Sequence, residues 1–183
     1  MDITVEDDDA PVVADCPADI NTTNDAGQCG AVVTYDAPVF SDNCGGSNLS
    51  GTLIDGLASG ALFPIGTTTV TYEYTDAAGQ TAQCSFEVTI TDTQIPEITC
   101  PDNIVVAADG SLLSGAATIT SFGPCGVTLS YTAPVGTDNC PGAVTYPASG
   151  LGAGPNYYQY GGFYTETYTV IDAAGNMSTC SFT

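Results

Sequence analysis

The side chains best placed to do chemistry are eight cysteines, Cys16, Cys29, Cys44, Cys84, Cys100, Cys125, Cys140 and Cys180, in a chain with no histidine, lysine or arginine. Cysteines at this density pair as disulfides or hold a metal. Zinc is disfavoured, because there is no Cys-x-x-Cys pair and no imidazole to complete a ligand set. Disulfides are expected instead, and with them an oxidising, extracellular compartment. Within one set of four cysteines three pairings are possible, and the count alone leaves them open.

Carboxylates are the other reactive class. The 21 Asp and Glu residues give a net charge of -21. Such a chain repels phosphate backbones and anionic lipid, which excludes nucleic acid and membrane insertion. The commonest general base is absent with the histidines, and no amine is available for a Schiff base or to hold a transferring phosphoryl group. Acids cluster at Glu6, Asp7, Asp8 and Asp9 in "EDDDAP" and at Asp92 in "TDTQIPE", with Asp42, Asp76, Asp138 and Asp172 in loops. Hard cations take several oxygen ligands from flexible loops, so calcium is the one cofactor these junctions suit, although no spacing matches a defined calcium loop. The aromatic run "NYYQYGGFYTETY" carries Tyr157, Tyr158, Tyr160, Phe163 and Tyr164. Tyrosines on a rigid edge suit contact with a glycan or a protein partner; alternate members of the run equally suit a core. Sequons stand at Asn21, Asn48 and Asn176.

These residues sit in a duplicated framework. From Cys29 to Cys44 is 15 residues and from Cys44 to Cys84 is 40, and the steps from Cys125 to Cys140 and from Cys140 to Cys180 repeat those numbers. The surrounding words agree: "CPADI" with "CPDNI", "SDNC" with "TDNC", "YTDAAGQTAQCSF" with "VIDAAGNMSTCSF". Within each module the periodicity is that of strands. Val70, Tyr72 and Tyr74 alternate with polar residues, as do Phe86, Val88 and Ile90, across a "DAAG" turn that recurs at Asp172–Gly175. No helical period is present, so the expected fold is all-β, an antiparallel sandwich in each module. No apolar run approaches the roughly 18 residues of a membrane span, and no signal peptide is visible.

The string "P-x-I-x-C-P-x-x-I", then "V-x-Y-x-x-P", "DNC", "FPIGTTTVTY" and "TDAAG…CSF-x-V-x-I-x-D" resembles the hyalin repeat, or HYR, module. The first module matches nearly throughout. The second has "YQYGGFYTETY" where "FPIGTTTVTY" is expected, and an altered lead-in before Cys125. The resemblance implies two tandem immunoglobulin-like domains, residues 10–94 and 95–183, after a strand or linker at residues 1–9, and adhesive or structural work at an extracellular surface. Catalysis is not expected, because two small sandwiches offer no deep cleft for a carboxylate pair. In such a sandwich the first and last strands commonly run parallel and adjacent, which pairs Cys16 with Cys84 and Cys100 with Cys180. That leaves Cys29 with Cys44 and Cys125 with Cys140.

The second module breaks off at "CSFT", where the first continues as "CSFEVTITD". The N-terminal "MDITVED" has the missing character, with Met1, Ile3 and Val5 alternating as Phe86, Val88 and Ile90 do. The expectation is that copies join head to tail, the N-terminal strand of one completing the second domain of another, or that the chain is one period of a covalent tandem array. The expected protein is thus the repeat unit of an extracellular filament or fibrous adhesin; a glycan- or matrix-binding adhesin module using the Tyr-rich edge is the alternative.

Overall fold

A computed structural model describes residues 6–183 of the chain. The expected inter-subunit strand, Met1, Ile3 and Val5, lies outside the described residues. Every regular element among the described residues is a β-strand, and the chain divides into two compact units, Met1–Thr93 and Gln94–Thr183.

Unit 1 contains β1 (Val12–Asp15), β2 (Ile20–Thr23), β3 (Gly30–Val33), β4 (Val39–Asp42), β5 (Gly46–Ser50), β6 (Thr52–Asp55), β7 (Ala61–Pro64), β8 (Gly66–Thr75) and β9 (Thr81–Thr91). They form sheets ordered β1-β4-β5, β2-β9-β8-β6 and β3-β7. The alternation read from the sequence fixes the inward face. Val70 on β8, with Phe86, Val88 and Ile90 on β9, is buried, whereas Glu87 and Thr91 point out. Phe40 from β4 and Phe63 from β7 meet that face with no exposed surface. Three sheets therefore share one core, an immunoglobulin-like sandwich. Each such side chain contributes about 1.5–3 kcal/mol on burial. The Asp76 turn joins β8 to β9: Gln80 N–H donates to Asp76 Oδ1 at 2.7 Å, and Gly79 takes the φ of +90° that the turn requires.

Strand β2 runs parallel to β9, pairing Ile20 with Val88 and Thr23 with Thr91. Cys16, just before β2, bonds Cys84 on β9 with 5.9 Å between Cα atoms. Cys100 bonds Cys180 in unit 2 at 5.5 Å. The short-loop pairs expected from the sequence do not form: Cys44 and Cys125 are exposed free thiols. The reason is the length of the module. Cys29 lies at the Thr91 end of β9, because Asn24 N–H donates to Thr91 O and the Asn24 amide to Gln28 O. Cys44 lies at the opposite end, beside Asp7, whose carbonyl accepts from the Gln80 side chain in the β8–β9 turn. The 11 residues of β9 separate those ends, by roughly 30 Å at strand rise. A disulfide tolerates no more than about 7 Å between Cα atoms. In unit 2, Cys125 O accepts from Tyr160 N–H, whereas Cys140 leads into the strand that starts opposite Ile171, so the same separation recurs.

Unit 2 contains β10 (Val105–Val106), β11 (Leu112–Ser114), β12 (Thr118–Gly123), β13 (Gly126–Ser130), β14 (Val144–Ser149), β15 (Asn156–Gln159), β16 (Glu166–Ile171) and β17 (Met177–Phe182), in sheets β10-β11, β12-β13-β15 and β14-β16-β17. The altered lead-in builds the β10–β11 hairpin, which unit 1 lacks among the described residues. Strand β17 has 6 residues where β9 has 11. Its parallel pairing only begins: Ile104 N–H donates to Thr183 O at 2.8 Å, and Thr183 N–H donates to Asn103 Oδ1 at 3.0 Å. The second of these repeats the Glu87 to Asp19 bond of unit 1.

Candidate functional site

The site lies beside β17, the last strand of unit 2. In unit 1 the buried cluster of Ala31, Val33, Phe63 and Phe86 includes Val88 and Ile90 from the second half of β9, with Tyr35 packed against it. Counterparts of all but Val88 and Ile90 occur in unit 2, as Val127, Leu129, Tyr158, Phe182 and Tyr131. The result is an apolar groove of about 220 Å³. Val127, Leu129, Tyr131 and Phe182 form its floor; Ile104–Val106 stand on one side and Tyr158–Tyr164 on the other. In unit 1 Gly66–Thr69 pairs with Glu87–Ile90. The corresponding segment, Gly162–Thr165, belongs to no strand, and Phe163 within it is 96% exposed.

One wall carries a carboxylate that sequence reasoning missed. Glu166 occupies the position of Val70 and is 3% exposed. Its Oε1 accepts from Leu151 N–H at 3.0 Å and Tyr158 O–H at 3.2 Å, and its Oε2 accepts from Gly152 N–H at 2.9 Å. Burial, reinforced by the Glu166 charge, pushes the Tyr158 phenol up to about 12. Burial also raises Tyr131, helped by its hydrogen bonds to Tyr168 and Glu166. The one signal in the sequence was Glu where the first module has Val.

The Tyr-rich edge divides by depth. Tyr158 and Tyr160 pack on the core, and Tyr164 lies edge-on to Tyr158 at 5.1 Å. Tyr157, 56% exposed, and Phe163 remain on the surface. A glycan contact using all five together is therefore not presented.

The expected calcium residues separate too. Asp7 meets Asp42 and Cys44, with one ligand atom of each within 4.8 Å of the others. Asp42 Oδ2 accepts from the backbone N–H groups of Cys44 and Gly45, while its buried Oδ1 has no partner. Asp9 accepts from the Asn43 amide at 2.7 Å, and Glu6 and Asp8 are exposed. Asp92 follows β9 at the far end of the unit, so it does not join Asp7. By sequence it is the counterpart of Asp7, each standing four residues before a proline. Asp7 and Asp42 offer a hard cation oxygen donors, whereas the Cys44 thiol suits a softer metal. The same carboxylates act on that thiol: its hydrogen bond to Asp7 comes first, then burial, then the charges of Asp7, Asp42 and Asp9, and together they raise its pKa.

The fold and the bridges define the class as a disulfide-bonded, immunoglobulin-like sandwich module. The HYR domain model matches residues 6–90, which lie within unit 1. Similarity continues beyond the match. Hyalin of Lytechinus variegatus is 29% identical over 182 residues, 98% of this chain and 31% of that protein. Hyalin of Strongylocentrotus purpuratus is 38% identical over 107 residues, 56% of this chain and 9% of that protein. The sushi, von Willebrand factor type A, EGF and pentraxin domain-containing protein 1 of Rattus norvegicus is 34% identical over 93 residues, 51% of this chain and 3% of that protein. The chain thus spans less than a third of the length of each.

Proposed function

We propose that the chain is a non-catalytic, adhesion-type structural module of an extracellular filament or fibre, whose copies join head to tail by strand addition. The groove of unit 2 is the observation that carries this reading. It lies where Val88–Thr91 of β9 would lie, and Ile3–Asp7 reads position for position as Val88–Asp92, with Met1 and Asp2 as two extra residues. Ile3 and Val5 take the places of Val88 and Ile90, facing Val127, Leu129 and Phe182. The backbone between them pairs with Ile104–Ala107 on one side and Gly162–Thr165 on the other. Because donor and acceptor surfaces differ, the contact is heterologous and propagates. The disulfides and the HYR relationship support an extracellular setting.

Deleting Met1–Glu6 tests it. Full-length chains are expected to form filaments under electron microscopy, and the deleted chain is expected to remain single while unit 1 melts as before. Filaments from the deleted chain would refute strand addition. A chain larger than 183 residues after reduction and denaturing electrophoresis of native material would place the same strand in cis, in a tandem array. The exposed Tyr157 and Phe163 favour a second use of the rim, recognition of a glycan or matrix protein. Glycan binding by single chains, lost on Tyr157→Ala, would support it.

A further inference from the structure

We infer that Cys125 of one copy forms a disulfide with Cys44 of the next, locking each head-to-tail junction covalently. The inference rests on the strand-addition reading and adds a modification site to it. Cys44 lies beside Asp7, the residue at the exit of the donated strand. Cys125 lies at the far end of the groove, its carbonyl accepting from Tyr160 N–H at 3.1 Å in the groove wall. The course of β9 shows where a strand in that groove emerges. In unit 1 it leaves at Thr91–Thr93 against Asn24, whose amide and carboxamide oxygen bind Thr91 O and Thr93 N–H, and whose side-chain amide donates to Gln28 O beside Cys29. Cys125 is the repeat counterpart of Cys29. A donated strand therefore brings Glu6 and Asp7 of the donor out beside Cys125 of the acceptor, and Cys44 comes with Asp7.

Both thiols are exposed and free, one in the donor unit and one in the acceptor unit, as a bond between copies requires. Their repeat counterparts, Cys29 and Cys140, are both disulfide-bonded, so each position in the repeat is one that carries a bridge. Electrostatics adds a reason for a covalent lock. With a net charge of -21 and no cationic side chain, no pair of side chains can bridge two copies by opposite charge, and their carboxylates repel.

The oxidant is a low-molecular-weight disulfide, RSSR. The Cys125 thiolate attacks one of its sulfurs, forming a mixed disulfide and releasing RS⁻. The Cys44 thiolate of the docked copy then attacks the Cys125 sulfur and releases the second RS⁻. Two protein thiols are oxidised, one RSSR is reduced, and the two protons leave on two RSH.

The test is non-reducing denaturing electrophoresis of assembled full-length chain exposed to oxidised glutathione, with mass spectrometry of an Asp-directed digest. The expected result is a ladder of multiples that collapses to one band on reduction, together with a Cys44–Cys125 linked peptide. Cys44→Ser and Cys125→Ser should each abolish the ladder while filaments still form. Filaments in which both thiols remain open to maleimide, or a Cys44–Cys44 linkage, would overturn the disulfide and leave strand addition standing. Chains that neither assemble nor link would overturn both.

Discussion

Replacing Ile3 with Ala in a synthetic peptide of sequence MDITVEDDDAP should weaken its binding to the groove by about 2 kcal/mol. The figure comes from the first module, where the counterpart Val88 has no exposed surface and sits in one cluster with Ala31, Val33, Phe63 and Phe86. Truncating a buried Ile to Ala costs about 2–5 kcal/mol, and the lower end applies because the groove is open at its rim. Each 1.4 kcal/mol is tenfold, so the dissociation constant should rise roughly 30-fold. Thr4 supplies the internal control. Its counterpart Thr89 points away from the core, with its hydroxyl 2.9 Å from that of Thr67. Thr4→Ala should therefore change affinity little. The assay is isothermal titration calorimetry of each peptide into chain lacking Met1–Glu6, which cannot fill its neighbours' grooves. The native peptide should also show a negative heat-capacity change, the mark of apolar burial. Equal losses for Ile3→Ala and Thr4→Ala would refute the register, because a one-residue slip exchanges the two faces of a strand.

The same geometry makes three further outcomes testable. Replacing Cys16 and Cys84 with Ala removes a cross-link of sequence separation 68; loop entropy sets the cost at about 4 kcal/mol, visible as a lower melting temperature for unit 1, and an unchanged melt would show that packing alone holds β2 against β9. Alkaline titration should destabilise unit 2: the folded Tyr158 phenol is raised from 10.0 to about 12, so the unfolded chain loses its proton first, and the stability held below pH 10 is lost as pH rises through 12. Phenolate absorbance checks it, and Glu166→Gln should lower the midpoint only in part, because burial is the larger cause. If Asp7 and Asp42 hold calcium, the ion stabilises unit 1 by about 2.7 kcal/mol at a hundredfold excess over its dissociation constant and so raises its melting temperature, and Asp42→Asn removes the gain; superimposed melts with and without calcium would refute calcium binding by these carboxylates.

Strand periodicity was legible because it is local. The alternation through Val70–Tyr74 and Phe86–Ile90 becomes the inward face of β8 and β9 with no tertiary information beyond one buried side. Cys16–Cys84 was legible from the fold implied by the resemblance, in which the first and last strands are neighbours. What sequence could not deliver is the end of a module at which each loop falls. Cys29 and Cys44 are 15 residues apart, yet β3 and β4 carry the chain between opposite ends. Asp7, Asp42 and Cys44 converge although 35 residues part the first two, because β4 returns to the end where the N-terminal segment enters. Glu166 was hidden for a related reason. In a run of Thr and Tyr it reads as an outward polar residue, and the backbone N–H groups of Leu151 and Gly152 with the Tyr158 hydroxyl make its burial tolerable.

The placement of donor and acceptor also determines how growth by strand addition must proceed. Asp7, Asp42 and Cys44 share one end of unit 1, whereas Cys125 and the mouth of the groove share one end of unit 2. In the proposed assembly one chain offers a donor strand with a thiol from its first unit and an acceptor groove with a thiol from its second. A pairing of two donors would leave both grooves open, and a pairing of two grooves has no strand to share. Each addition consumes one donor and one acceptor and regenerates one of each, so the filament is polar and its two tips are chemically distinct. Free MDITVEDDDAP peptide should accordingly stop growth at the groove-bearing tip alone, and growth halted at both tips would contradict that polarity.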